Sequence, residues 1–309
     1  MNAANLARLL LLAALWGGSF LFMRIAAPVL GAVPTAFLRV VLGAIGLVVI
    51  VLAMRVPRRF AGLLGATMAL GALNSGLPFL LYAAAATVLP AGYSAILNAM
   101  TPLMAALIGL VAFGERIGPR KLFGLLLGVA GVAVLTRIGP LQNTPQMLAG
   151  VAACLAATAC YALAGFLTRR WITQRGGLDS RLVAMGSQFG AVALLLPFAA
   201  WREATRPAVW VDAPPVVWVS VQALGLLCTS WAYVLYFRLI AEVGPVKAMT
   251  VTLLIPLFGV LWGWWFLDEA ATAAHAIGGS LIALALWCVL RPAAGPAGAA
   301  AEVGRRSPG

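Results

Sequence analysis

Residues 98–115, NAMTPLMAALIGLVAFGE, return in altered form at 252–269, TLLIPLFGVLWGWWFLDE. The two stretches align without a gap at an offset of 154 residues. Pro102 falls on Pro256, Leu107 on Leu261, Gly109 on Gly263 and Glu115 on Glu269. Beyond the stretch, Tyr82 falls on Tyr236, Gly124 on Gly278 and Arg137 on Arg291. The offset is half the chain length, so one structural unit is used twice, and such a repeat sets the architecture. Nearer the N-terminus the match runs at an offset of 145, pairing Trp16 with Tyr161 and Arg24 with Arg169. The change of offset requires an insertion of about nine residues, expected in the 169–180 connection.

The protein of 309 residues is 63% hydrophobic and 9% charged, with a mean hydropathy of +1.02. Soluble domains are about 45–50% apolar with about 25% charged residues, so the fold class is an all-α polytopic membrane protein. A net charge of +13 would point to nucleic acid in a soluble protein; here the arginines are read as helix-end residues that set orientation, and no nucleic-acid partner is expected. Cys154, Cys160, Cys228 and Cys288 all fall in apolar runs, and there is one histidine. That set offers neither a disulfide framework nor a metal site. No phosphate-binding loop, nucleophile elbow or zinc-protease motif occurs. An enzyme is therefore not expected, and neither is a cofactor.

Apolar segments of about 20 residues, the length that crosses about 30 Å of hydrocarbon, recur ten times, near 6–27, 34–54, 61–86, 91–113, 120–137, 146–168, 181–200, 215–237, 245–267 and 273–290. The first is read as a spanning helix and not as a cleaved leader. Placing both termini in the cytoplasm puts 16 of the 21 basic residues on the inner side and leaves Arg24, Arg39, Arg137, Arg202 and Arg206 outside, as the positive-inside rule requires. Five helices per repeat is an odd number, so the second copy is inverted. Inverted repeats are a signature of secondary transporters, which bind substrate between the repeats. The expected organisation is a first five-helix repeat at 1–138, a second at 146–291 and a disordered cytoplasmic tail at 292–309.

Polar groups in lipid must face the protein interior or water. Helical spacing gathers Trp16 and Ser19 on the first segment, Asn74 and Tyr82 on the third and Asn98 with Pro102 on the fourth. Tyr161 on the sixth, Trp231 on the eighth and Thr252 with Pro256 on the ninth complete the set. Trp16, Ser19, Asn74, Tyr82, Asn98, Tyr161, Trp231 and Thr252 are the candidate substrate-binding residues. Pro102 and Pro256 each free a mid-membrane carbonyl and are candidate kinks for gating. Glu115 and Glu269 close the two repeat stretches on opposite membrane faces, as candidates for ion coupling or for capping the next loop. No carboxylate lies at the centre of a span, so a relay of acids is not expected. The glycines at 124, 128 and 131, and at 278 and 279, make the fifth and tenth segments packing elements.

LWGGSFLFMR in the first segment, FLRVVLGA in the second, Pro102 through Gly114-Glu115-Arg116, the Gly124/Gly128 face and Pro256 through Leu267-Asp268-Glu269 together resemble the drug/metabolite transporter superfamily. More narrowly, they resemble its ten-helix EamA-type members. The resemblance reaches to about Arg291. It implies ATP-independent export or exchange of a small metabolite, amino acid or drug across a bacterial inner membrane. It also implies a central cavity near Trp16, Tyr82, Asn98, Tyr161 and Trp231, and it names neither substrate nor coupling ion. Asp268 departs from the first copy, which has Gly114. The expected partners are a small-molecule substrate, the lipid bilayer and a proton or counter-substrate, with the chain a monomer or homodimer. A lipid-type flippase or a non-transporting subunit of a membrane complex is the alternative. Reporter fusions test the topology: a C-terminal fusion is expected to report the cytoplasm and one in the 201–214 connection the outside, and a periplasmic C-terminus overturns the inverted arrangement.

Overall fold

The computed structural model describes residues 2–115, 117–137, 144–205 and 212–290. They form α1 (Ala3–Leu30), α2 (Ala32–Ala53), α3 (Leu64–Ala86), α4 (Ala91–Asn98 with Thr101–Phe113), α5 (Pro119–Arg137), α6 (Pro145–Trp171), α7 (Ser180–Thr205), α8 (Pro215–Val243), α9 (Val251–Leu267) and α10 (Ala273–Leu290). Eight of these are long and apolar enough to cross a membrane, the two pieces of α4 make a ninth, and α9 adds a shorter apolar helix. The protein is an all-helical, multi-pass membrane protein. Arg116, Arg291, the 292–309 tail and residues 206–211 of the 201–214 connection, Arg206 among them, lie outside the described residues.

The helix neighbours follow the repeat. α1 packs on α9 and α6 on α4; α2 packs on α8 and α7 on α3. α2 meets α7, α4 meets α9, and α5 lies along α10. Exchanging α1–α5 for α6–α10 maps this set onto itself. Because each repeat has five crossings, equivalent helices run in opposite directions.

Burying apolar surface gains little inside lipid, so helices associate through close packing. A Cβ on Gly71 of α3 would lie 1.9 Å from the Ser187 carbonyl oxygen of α7. One on Gly190 of α7 would lie 1.9 Å from the Met68 carbonyl oxygen of α3. In the other repeat pair, a Cβ on Gly225 of α8 would lie 2.3 Å from the Leu42 Cβ of α2. Gly124 and Gly131 bring α5 onto the backbone of α10, as the small-residue face led one to expect, with Ala285 and Gly278 carbonyl oxygens each 2.9 Å from the place of a Cβ.

These contacts correct the position of the insertion. Gly71 and Gly225 are repeat-mates at offset 154, yet their partners Ser187 and Leu42 differ by 145. The extra residues therefore follow α7, in the connection to α8, and not the 169–180 connection. Both α3 and α8 also contain wide π turns, at Ala72–Gly76 and Ala223–Trp231, which coincide at offset 154.

Filling one of these contacts should unfold the bundle. Gly190→Val is expected to abolish a monodisperse peak in fluorescence-detected size-exclusion chromatography, since it exceeds the ~1–3 kcal/mol of ordinary overpacking. Gly165→Ala, where nothing lies within 4 Å of the new Cβ, should leave the peak unchanged.

Candidate functional site

The wide turns decide which side chains face inward. Each adds a residue per turn and rotates everything beyond it relative to a 3.6-residue extrapolation. In α8 the Thr229 hydroxyl donates to the Leu224 carbonyl at 2.9 Å and the Ser230 hydroxyl to Gly225 at 3.0 Å, both five residues back. Cys228, Thr229 and Tyr233 thereby point to the bundle interior. Trp231, expected there, lies on the outer surface with 42% of its area exposed, a departure caused by the π turn.

A cavity of about 680 Å³ occupies the centre, lined by both repeats. Seven of the eight residues picked out by helical spacing line it: Trp16, Ser19, Asn74, Tyr82, Asn98, Tyr161 and Thr252. The lining comes in repeat-mates: Trp16 with Tyr161, Asn74 with Cys228, Phe79 with Tyr233, Tyr82 with Tyr236 and Asn98 with Thr252. Tyr82 is the hub of the first half. Its hydroxyl donates to Asn98 Oδ1 at 3.0 Å. Its ring takes Phe20 edge-on at 5.3 Å and stacks with Tyr161 at 6.3 Å between centroids. Trp16 packs on Tyr236 at 5.2 Å. The Ser19 hydroxyl donates to the Trp16 carbonyl within α1 and the Thr252 hydroxyl to the Met249 carbonyl in the turn before α9, so both hydroxyl protons already have acceptors.

One lining residue escaped the sequence reading. Arg39, assigned to a helix end, is 5% exposed and projects from α2 into the cavity wall. Its guanidinium lies over the Phe79 ring, 3.6 Å from the centroid. Nε donates to Thr229 Oγ1 at 3.3 Å, and Nη1 lies 3.6 Å from the Met23 sulfur. A charge seven residues inside an apolar helix was the available signal.

The two glutamates differ. In both repeats the Glu backbone N–H returns to the glycine six residues earlier, Glu115 to Gly109 at 2.9 Å and Glu269 to Gly263 at 3.1 Å. Gly114 and Asp268 provide the matching left-handed turns, φ 66° and 53°. The Glu269 carboxylate then accepts the Ala91 N–H at 2.9 Å, at the start of α4, and lies 3.5 Å from Arg24 Nε of α1. Burial pushes its carboxyl above the ordinary range, against the pull of the Ala91 N–H and Arg24. Among the described residues Glu115 has no ion-pair partner. α4 and α9 also pack tightly at the Glu269 end, where Gly259 receives Ala95 and Gly263 faces Ala91. The cavity lining instead reaches the opposite end, at Thr173, Gly177 and Ser180 beyond α6.

The prolines are elsewhere. α4 breaks after Asn98, its two parts inclined by 41°, and Pro102 starts the second part. Pro256 lies within α9. Both line a second, largely apolar groove of about 1160 Å³ between α4, α9 and α10, which meets the central cavity at Thr252, and neither lines the central cavity itself.

Comparison with known proteins places these features. The profile of the EamA-like transporter family matches twice, over residues 6–137 and 148–291. An uncharacterized transporter of Archaeoglobus fulgidus is 28% identical over 90% of this chain and 94% of its own length. A probable terminal-alkyne amino-acid exporter of Streptantibioticus cattleyicolor is 24% identical over 70% of each. A crystal structure sharing 20% identity superposes with a TM-score of 0.59 over 94% of this chain and 97% of its own, so the fold is shared.

The Tyr82–Asn98 bond can be weighed directly. Asn98→Ala leaves a buried hydroxyl without its acceptor, a loss of about 1–3 kcal/mol, and a lower melting temperature in detergent is expected. Adding Tyr82→Phe should recover part of that loss; an additive second loss would show that the two side chains do not cooperate.

Proposed function

We propose, from the premise that the chain belongs to the EamA-like transporter family and is a membrane transporter, that it is a secondary active exporter working by alternating access. Its cargo is a small metabolite, amino acid or drug. The observation that carries this reading is the central cavity, lined by paired positions of two repeats and closed by a carboxylate latch at one end only. A bundle whose role were purely structural has no use for a polar, aromatic chamber at its centre. A flippase finds less support, because the groove between α4, α9 and α10 is largely apolar and shares only Thr252 with the lining of the chamber.

In this reading the repeats are domains at 1–138 and 146–291 that rock against each other, with α4 and α9 as moving parts. The site is a bacterial inner membrane with both termini cytoplasmic, so the basic end at Arg169, Arg170 and Arg175 faces the cytoplasm. The present conformation is then inward-facing. Glu269, Ala91 and Arg24 hold the outer end shut. Trp16, Ser19, Asn74, Tyr82, Asn98, Tyr161 and Thr252 line the substrate chamber, and the break before Pro102 is where α4 bends. Protonation of Glu269 from outside removes its charge from Arg24 and loosens the outer end, which makes this carboxyl the candidate for ion coupling. His275 and Tyr93 flank the same end.

Counterflow of a metabolite panel in proteoliposomes tests the proposal. Saturable exchange that falls at least about tenfold in Trp16→Ala, the loss of roughly 1.4 kcal/mol of binding, is expected. Glu269→Gln, a mimic of the protonated latch, should keep exchange while flattening its dependence on external pH. Exchange indifferent to Trp16→Ala removes the chamber assignment, and an unchanged pH profile removes the coupling role.

A further inference from the structure

Among the described residues Arg39 is the one charged side chain that lines the central cavity, and no described carboxylate pairs with it. Its contacts are a phenyl face, a threonine hydroxyl and a thioether. The described carboxylates all lie at helix ends or in connections, and the four ion pairs among the described residues exclude Arg39. A cation–π contact recovers only part of what an ion loses on leaving water. A guanidinium kept in that position therefore wants an anion, and its planar fork suits a carboxylate, which takes two parallel N–H donors.

The symmetry of the chamber sharpens the point. At the α2/α7 offset of 145, the repeat-mate of Arg39 is Ala184, which lines the cavity too. The wall is thus duplicated in position but charged on one side only. A packing role would be served by the contacts already made to Phe79 and Thr229, which tie α2 to α3 and α8. It gives no reason for the head group to form part of the cavity wall. Around it the aromatic rings of Tyr161 and Tyr233 offer faces to an apolar body attached to the anion. The same positive charge, with no acidic partner in the wall, disfavours a cationic ligand.

We propose that Arg39 anchors the carboxylate of the transported molecule, so that the cavity takes carboxylate-bearing substrates with an apolar or aromatic body and rejects organic cations. This rests on the reading of the cavity as a substrate chamber, and it concerns binding, which can be measured apart from transport.

The experiment uses the full chain in detergent and in proteoliposomes. The probes are a panel of aliphatic, aromatic and α-amino monocarboxylates, each paired with its neutral primary amide, with phenethylamine as the cation. Binding is read by thermal shift and by quenching of tryptophan fluorescence, and transport by counterflow. At least one acid is expected to bind on the order of 10²-fold more tightly than its amide. Arg39→Gln should remove that preference and Arg39→Lys keep part of it. Should Arg39→Gln fail to fold, the acid-against-amide ratio of the unaltered protein decides alone. Amides or phenethylamine binding as tightly as the acids overturns the proposal, as does no binding by any acid. Arg39-dependent binding of acids without counterflow supports the anchor and overturns the transport reading. Counterflow indifferent to the carboxylate supports transport and overturns the anchor.

Discussion

The structure depends on helix backbones that touch. In hydrocarbon there is no water to expel from between two apolar helices, so association rests on contact area and on polar groups that find partners. Gly71 against Ser187, Gly190 against Met68, and Gly225 against Leu42 bring α3 onto α7 and α8 onto α2 at distances that no Cβ could share. Gly124 and Gly131 do the same for α5 on α10. These contacts fix the outer frame of the bundle. With the frame fixed, α1, α4, α6 and α9 have only the remaining space to fill, and their polar and aromatic faces meet in the middle without filling it. The chamber is what remains when small residues set the spacing at the periphery and large aromatic ones sit at the centre.

Much of this was legible in the chain because membrane burial simplifies the code. In a span with few polar residues, each Asn, Tyr or Trp can be placed on a face by counting, and counting brought together Trp16, Asn74, Tyr82, Asn98, Tyr161 and Thr252. It failed at Trp231 for a definite reason. Ala223–Trp231 winds as a π helix, and no propensity of that stretch announces the wider turn. The insertion was misplaced for a different reason: two offsets, 145 and 154, leave open where the change falls until a contact pairs residues across both repeats. Arg39 was passed over because charge counting treats arginines as orientation signals. Its position, seven residues into α2, was visible in the sequence. What the sequence lacked was proof that no acid waits across the cavity.

A duplicated sequence has folded into an asymmetric state, and the asymmetry has a local cause. Glu115 and Glu269 occupy equivalent turns, and Arg24 has its equivalent in Arg169. Ala91, which gives its N–H to Glu269, has Pro245 as its counterpart. Proline has no N–H to give, so the Glu115 end cannot form the same latch. A charge-assisted hydrogen bond of this type is worth about 1.5–3 kcal/mol, enough to hold a two-state equilibrium strongly to one side. In the proposed cycle, this difference between Ala91 and Pro245 favours closing at the Glu269 end.

Arg39 and the latch are two answers to the same problem, the placement of charge where water is scarce. Glu269 is stabilised by a backbone donor and by Arg24, and its carboxyl still sits above the ordinary range because burial outweighs both. Arg39 has weaker compensation. A cation–π contact supplies about 0.5–2 kcal/mol, against a desolvation penalty of several kcal/mol for a buried ion. Such a deficit is tolerable in a protein only if the group is completed part of the time by something from outside, or if the cavity keeps enough water to hydrate it. In an alternating transporter both conditions hold in turn: the empty chamber admits water from its open end, and the filled chamber replaces that water with ligand. The cost of an unmatched guanidinium in the empty protein then becomes binding energy for an anion that arrives, and the same deficit opposes any ligand that brings a second positive charge.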